Sequence, residues 1–426
     1  MGAGITAQLL DLQGAEVPQA ALRMMRLSLF DWAACGVAGA AESSFERFKV
    51  TAAHGGPGQV ALLGGGTAAP GTAALINGTL SHALDYDDTH FAHIGHPSVV
   101  VVPAVLAVIG PGVSLEEALA AAAVGAEASI RVGLWLGRDH YQVGFHQTAT
   151  AGAFGAAVAV ARLVGLSKAQ ARHALGLTST MASGLKSQFG TMGKPLNAGL
   201  AARTGVEAAL WAQAGMTSSA DGLAGSLGFG ATHHGLGTVD VPEAWHLPSI
   251  RHKFHACCHG LHAMLEALGS LDVDPQEITR IDIETHPRWM TVCNIAAPST
   301  GLEAKFSYAQ TAAMALLGHD TGAAAHFTDA VAQDPQICAL RARVQVLSAQ
   351  TLTETEAKVT LYLRDGSLQR AAHDLIAPVP EALRSQKLRR KAGELIGPVL
   401  SDALWEAIET GDMQRFTVLL GSAGPR

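Results

Sequence analysis

The chain has 426 residues, 48% of them hydrophobic and only 15% charged, with a formal net charge of −7 and an isoelectric point near 6.2. A charged fraction so far below the roughly 25% of an average globular chain calls for an unusually large core, a surface buried against a second copy of the chain, or both. The acidic balance argues against a nucleic-acid partner, which would want a basic face, yet it is compatible with an acidic small molecule held by a few cations in one pocket.

The first 14 residues (MGAGITAQLLDLQG) have no cationic start and no sustained apolar stretch, so no targeting segment is expected. Pro18 suits the first turn of a helix whose apolar face carries Ala21, Leu22, Met25, Leu29 and Trp32. The run 99–109 and, further on, 149–164 are the most apolar stretches. Each is shorter than the roughly 20 residues that span a bilayer, so both are expected as buried helices and no membrane partner follows. Ser114 and Glu117 form a capping box ahead of a helix over 115–124, and Ser167 repeats the start signal ahead of 169–177. Near residue 278 the period changes. The segments 278–286, 343–347 and 358–363 alternate as strands, the last ending at the turn dipeptide Asp365-Gly366. Helices are expected between them at 308–317 and 330–342, then at 380–396 and 401–409. The pattern predicts a mainly α fold: a large all-helical domain from both ends of the chain (1–252 and 376–426), with a smaller inserted α+β lid domain (253–375). Five cysteines, Cys35, Cys257, Cys258, Cys293 and Cys338, are odd in number and irregular in spacing. They make no disulfide framework and point to a reducing, cytoplasmic compartment.

Four clusters carry the chemistry. Residues 82–96 hold Asp85, Asp87 and Asp88 with His82, His90, His93 and His96, a density that is costly beside buried helices unless the groups pair or serve a site. A hydrogen-bonded helix end would also produce it. His146 in GFHQT opens an apolar helix, either as its first polar residue or as an acid–base group. Lys194, one of nine lysines, sits in the Gly-flanked segment GTMGKPLN, where glycine permits close approach of a ligand; a solvated turn lysine is the plainer reading. Finally, HKFHACCHGLH (252–262) has four histidines and two cysteines at the junction between helical and α+β segments. Its His255/His259 and His259/His262 spacings on a helix leave a zinc reading open, although paired ligand motifs are missing. There is no Walker lysine loop and no HEXXH, and AGSLG (224–228) misses the nucleophile-elbow pattern at its first position.

In this order and spacing, NGTLSHALDYDDT (77–89) with HPS (96–98), GFHQT (144–148), GTMGKPLNAG (190–199) and KFHACCHGLH (253–262) resemble the MmgE/PrpD family over nearly the whole chain. That family includes 2-methylcitrate dehydratase, cis-aconitate decarboxylase and iminodisuccinate epimerase. The resemblance implies a homodimeric enzyme without cofactor or metal that acts on a small di- or tricarboxylate. It implies catalytic roles for Asp85, His96, His146, Lys194 and Lys253, and substrate contacts from Thr89, Cys258 and Gln310. Where the decarboxylase carries a histidine and a tyrosine, this chain has Cys258 and Gln310, and its 89–96 loop is one residue longer. Dehydration of the 2-methylcitrate type, or epimerisation at the same centre, is therefore expected ahead of decarboxylation.

A hydrogen on carbon beside a carboxylate is a weak acid because its loss places more negative charge next to an anion. Preorganised cations answer that problem. Lys194 and Lys253 are expected to clamp carboxylates, His146 or Asp85 to act as base, His96 as acid and Thr89 as a hydrogen-bond donor; a lysine made neutral by burial is a further candidate base. Two other classes remain: a metal-dependent enzyme using 252–262, and a polycarboxylate-binding protein without activity.

Overall fold

A computed structural model describes residues 4–53, 58–235 and 244–422. The chain forms two compact units, Met1–His252 with Leu388–Arg426, and Lys253–Lys387. The return to the first unit falls at 388 rather than 376, inside the helix Glu381–Ile396. Lys387 of this helix pairs with Glu266 of the second unit, whereas Lys391, one turn later, pairs with Asp31 of the first. Helix predominates throughout.

The first unit is built from helices whose contact faces are Ala and Gly. Ser114 caps Leu115–Gln142 with the expected reciprocal box to Glu117, but the helix continues well past 124, because the Ala/Gly-rich face stays buried through Leu136. Gly137, at φ 75°, kinks it. This helix is long and apolar enough to cross a membrane, yet 89% of its apolar window is buried within the protein; it is a core helix. It packs on Gln147–Leu163, where a Cβ at Gly125 would lie 2.7 Å from the Gly155 carbonyl and from Ala159. Pro70–Ser81 and Gly193–Gln213 approach as closely, since a Cβ at Gly78 would sit 2.9 Å from the Cα of Gly199. Side chains any larger would hold these backbones apart.

In the second unit a four-stranded sheet runs in the order Val344–Ser348, Ile278–Thr285, Glu356–Leu363, Leu368–Asp374. The first pair is parallel, with Ile283 opposite Val346; the others are antiparallel, with Ile283 also opposite Val359. Ile278, Ile281 and Ile283 are fully buried in the central strand. The turn at Asp365-Gly366 forms as expected, with Gly366 at φ 84°, and leads into a strand that hydropathy does not reveal. Leu368–Asp374 is an edge strand with no buried residue, so no apolar alternation marks it. The helix expected over 330–342 is instead two, Asp329–Ala332 and Pro335–Arg341, because Pro335 breaks the first and Asp334 caps the second through Gln336 N and Ile337 N. His255 and His259 do not share a helical face with His262: a 3₁₀ turn covers His259–Leu261, and the α-helix begins only at His262.

Candidate active site

The acidic, histidine-rich loop follows the buried helix Pro70–Ser81 and is fixed from several sides. Lys391, fully buried, places Nζ 2.6 Å from the Tyr86 carbonyl and 2.6 Å from Asp31 Oδ1. Burial opposes its charge, but Asp31 overrides that and raises its pKa. Asp88 accepts from Ser98 N and Ser98 Oγ, capping Ser98–Ala107, and burial pushes its carboxyl up to about 7. Thr89 pairs with Arg251 through both backbone groups, at 2.7 and 2.8 Å, and its hydroxyl lies 3.4 Å from the same carbonyl. Between these anchors Asp85 takes φ 50°, a region uncommon outside glycine that persists only when the surroundings enforce it.

This loop delivers Asp85, Asp87, His82 and His96 to one place. Asp87 is fully buried between two imidazoles: His82 Nδ1 lies 2.8 Å from Oδ1, and His96 Nδ1 lies 2.6 Å from Oδ2; the first contact is a hydrogen bond, and the second lacks the alignment of one. Burial alone would raise the Asp87 carboxyl; the two histidines hold it far below the ordinary range instead. Asp85 Oδ1 sits 3.4 Å from His96 Nε2 and 2.7 Å from Lys194 Nζ. With 43% of its side chain exposed, against 15% for Lys194, 11% for His96 and 1% for Asp87, Asp85 is the most open of this group.

Lys194 stands in the first turn of Gly193–Gln213, adding its charge to the positive end of a 21-residue helix. It also lies 5.3 Å from the centre of the Phe189 ring. His146 precedes Gln147–Leu163, its N–H donating to the Gly184 carbonyl at 2.9 Å. Its ring lies 5.0 Å from Phe189 and stacks 6.1 Å from His82. Burial first, then the Lys194 charge, lower the His146 pKa well below the usual value. Burial likewise takes His96 down to about 4. In both rings burial favours the neutral form.

The two neutral rings are held in opposite tautomers. Asn197 Nδ2 lies 3.2 Å from the Leu185 carbonyl, which can only accept, and 3.2 Å from His146 Nδ1. The amide therefore donates to Nδ1, and the His146 proton is on Nε2. For His96 the order reverses. An unprotonated Nδ1 facing an ionised carboxylate at 2.6 Å would set lone pair against lone pair, so the proton is on Nδ1 and Nε2 is the acceptor. One ring offers a lone pair and the other an N–H, with an ammonium beside them. Together these can remove a proton and stabilise the resulting negative charge.

His82, Asp85, Asp87 and His96 are also the described side chains able to hold a metal ion, with one donor atom each within 4.8 Å of one another. The 2.8 Å spacing of His82 Nδ1 and Asp87 Oδ1 is that of a hydrogen bond, and Lys194 already supplies a cation to Asp85. The zinc reading of 252–262 loses its helical premise with the helix start at His262.

Of the residues singled out by sequence, Asp85, His96, His146 and Lys194 gather in the first unit, with Thr89 four residues beyond Asp85. Lys253, Cys258 and Gln310 belong to the second. Lys253 is buried. Cys258 is half-buried, its N–H donating to the Lys305 carbonyl at 2.9 Å. Gln310 is fully buried, with its oxygen 2.7 Å from Arg341 and its nitrogen 3.2 Å from the Val331 carbonyl; both polar ends brace the unit itself. Sequence reasoning missed His82, Asp87 and Asn197. The first two lie inside the recognised cluster, and Asn197, three residues after Lys194, shares its helical face.

Profiles of the MmgE/PrpD N-terminal and C-terminal domains match residues 5–240 and 255–413. The chain belongs to the MmgE/PrpD family. Among its MmgE/PrpD relatives, the cis-aconitate decarboxylase of Aspergillus terreus (strain NIH 2624 / FGSC A1156) is 31% identical over 294 residues, 63% of this chain and 60% of that protein. The cis-aconitate decarboxylase-like protein oryM of Aspergillus oryzae is 30% identical over 306 residues, covering 66% and 64%. The human cis-aconitate decarboxylase is 33% identical over 181 residues, covering 41% and 37%. Each match spans less than two thirds of the relative.

Proposed function

We propose that this protein is a lyase that removes the α-proton of a small di- or tricarboxylate and expels a β-hydroxyl, as a 2-methylcitrate dehydratase does, without a cofactor. The supporting observation is the Lys194 ammonium set beside two neutral imidazoles in opposite tautomers. His96 Nε2 takes the proton, and the imidazolium so formed lies between Asp87 and Asp85. Lys194 and the His146 Nε2–H stabilise the enediolate, and His96 returns its proton to the departing hydroxyl. These roles reverse those expected from sequence, where His146 was a candidate base and His96 the acid. Thr89, Lys253 and Cys258 keep their proposed substrate roles, whereas Gln310 is assigned to the framework. A cytoplasmic homodimer belongs to the same proposal. Leu200 and Trp211, both more than 40% exposed on one face of Gly193–Gln213, are apolar surface that a second copy would cover, and sedimentation should give a mass near twice 44.0 kDa.

Two other outcomes use the same centre, epimerisation through the same first step and decarboxylation with loss of CO₂ in place of proton abstraction. Without a leaving group, reprotonation on the opposite face gives epimerisation. Loss of CO₂ gives decarboxylation, which the names of the relatives favour and Cys258 and Gln310 do not. The test is incubation with 2-methylcitrate, iminodisuccinate, cis-aconitate and related acids in D₂O, followed by NMR. An alkene from the hydroxy acid is expected. An inverted centre or released CO₂ would replace dehydration by the corresponding alternative, and a panel that neither reacts nor exchanges its α-proton would defeat the enzymatic reading.

A further inference from the structure

We infer that Asp87 is the positioning residue of this centre: its buried carboxylate is hydrogen-bonded to His82 Nδ1 and sets a negative charge 2.6 Å from His96 Nδ1, and so fixes His96 in the tautomer that leaves Nε2 as the base. The catalytic consequence rests on the proposed function; the tautomer itself does not. Asp87 touches no outer part of the site, since it is fully buried and both of its oxygens face imidazole nitrogens, at 2.8 and 2.6 Å. It therefore acts through His96 rather than on substrate.

Two further observations fit this role. First, His96 has a carboxylate at each nitrogen, Asp87 at 2.6 Å and Asp85 at 3.4 Å, so its tautomer is decided by which pulls harder. The closer, fully desolvated carboxylate wins over the one that is 43% exposed and already paired with Lys194. Second, His82 fills the other oxygen of Asp87 and packs edge-on against His96, with ring centres 4.6 Å apart. It blocks rotation of the carboxylate and of the neighbouring ring. The His82 Nε2 is buried with no partner, so that ring gains nothing from turning over and breaking its bond to Asp87. When His96 accepts the substrate proton on Nε2, it becomes an imidazolium against an anion that was in place beforehand, and no group has to reorient. Exchanging His96 for another acid–base residue would lose this; so would removing the charge from Asp87.

The test is Asp87→Asn. An amide has one accepting oxygen and one donating NH₂, so it can satisfy Nδ1–H of only one of the two rings and requires the other to accept. Long-range ¹H–¹⁵N NMR of protein labelled at histidine, with the His96 signals assigned from a His96→Gln sample, reads the tautomer without any substrate. In the natural protein His96 should carry its proton on Nδ1; finding it on Nε2 overturns the inference whether or not the variant folds. On a substrate that the acid panel identifies, Asp87→Asn should lower kcat by about 10²- to 10⁴-fold, the upper end being the loss seen when a buried carboxylate orienting a catalytic histidine loses its charge. KM should change by less than about threefold, because substrate contacts are intact. A folded variant with kcat within about threefold of normal, or one in which kcat and KM deteriorate together, overturns the positioning role. If no acid in the panel turns over, the proposed reaction fails while the NMR result still decides the tautomer.

Discussion

Lys194 and Asn197 show how much of the site depends on single contacts. Lys194 lies 2.7 Å from Asp85, and its removal takes away a charge that an enediolate needs. Lys194→Ala should reduce kcat/KM by about 10²- to 10³-fold while leaving the thermal midpoint nearly unchanged, because an ion pair whose carboxylate is 43% exposed adds little to stability. Near-normal turnover would remove Lys194 from the mechanism. Asn197→Leu keeps the volume but deletes the NH₂ that holds His146 Nδ1 and the Leu185 carbonyl. Freed of that constraint, His146 can present a lone pair where an N–H is needed, and kcat should drop about 10- to 100-fold with KM little altered. The sequence makes Asp85, His96, His146 and Lys194 readable because rare charged residues stand out in an apolar chain. It does not make Asp87 or Asn197 readable as partners. Which of three neighbouring aspartates faces a ring depends on the left-handed turn at Asp85, and an asparagine inside an Ala/Gly-rich helix has no pattern of its own.

At the scale of elements, helix starts are where sequence and structure agree most closely, because the signal is local. Ser114 and Ser167 each accept from the third following N–H and receive the reciprocal contact from Glu117 and Gln170. Ser114→Ala should cost about 1 kcal/mol, measured by chemical denaturation; no change would mean that tertiary packing alone sets this helix end. Helix lengths and edge strands are less legible. An Ala/Gly face has too little hydrophobic contrast to mark where the 115–142 helix ends, and the 368–374 edge strand buries nothing. The same small residues give a sharper test of packing. A Cβ at Gly155 would collide with Ser129 Oγ and the Gly125 carbonyl, with backbone on one side and a fully buried hydroxyl on the other. Although alanine is the better helix former, Gly155→Ala should destabilise the fold by about 1–3 kcal/mol. An increase in stability would show that these helices can move apart without cost.

For the molecule as a whole, many buried histidines set the direction of its pH response. Burial lowers His90 to about 4, His93 to about 3, His96 to about 4 and His140 to about 4, from an ordinary value of 6.5. The unfolded chain therefore binds protons in a range where the folded chain does not. Folding stability is complete above pH 6.5 and is lost as the pH falls through that value towards 3–4. Asp88 works the other way. Burial raises it from 3.8 to about 7, so its contribution is fully present below 3.8 and is lost as the pH rises through 7. One carboxyl is set against at least four imidazoles, and the imidazoles dominate. The thermal midpoint should be highest near neutral pH and should decline steadily from about pH 6.5 downwards. His93 isolates the effect, since both of its ring nitrogens are buried without a partner and it lies outside the proposed chemistry. His93→Leu removes one titrating group and two unsatisfied polar atoms, so between pH 6.5 and 4 its stability should fall less steeply, by about one bound proton. Urea denaturation at several pH values measures that slope. A slope equal to that of the natural protein, or a midpoint higher at pH 5 than at pH 7.5, would mean that these histidines are protonated inside the fold and that their burial does not govern its acid sensitivity.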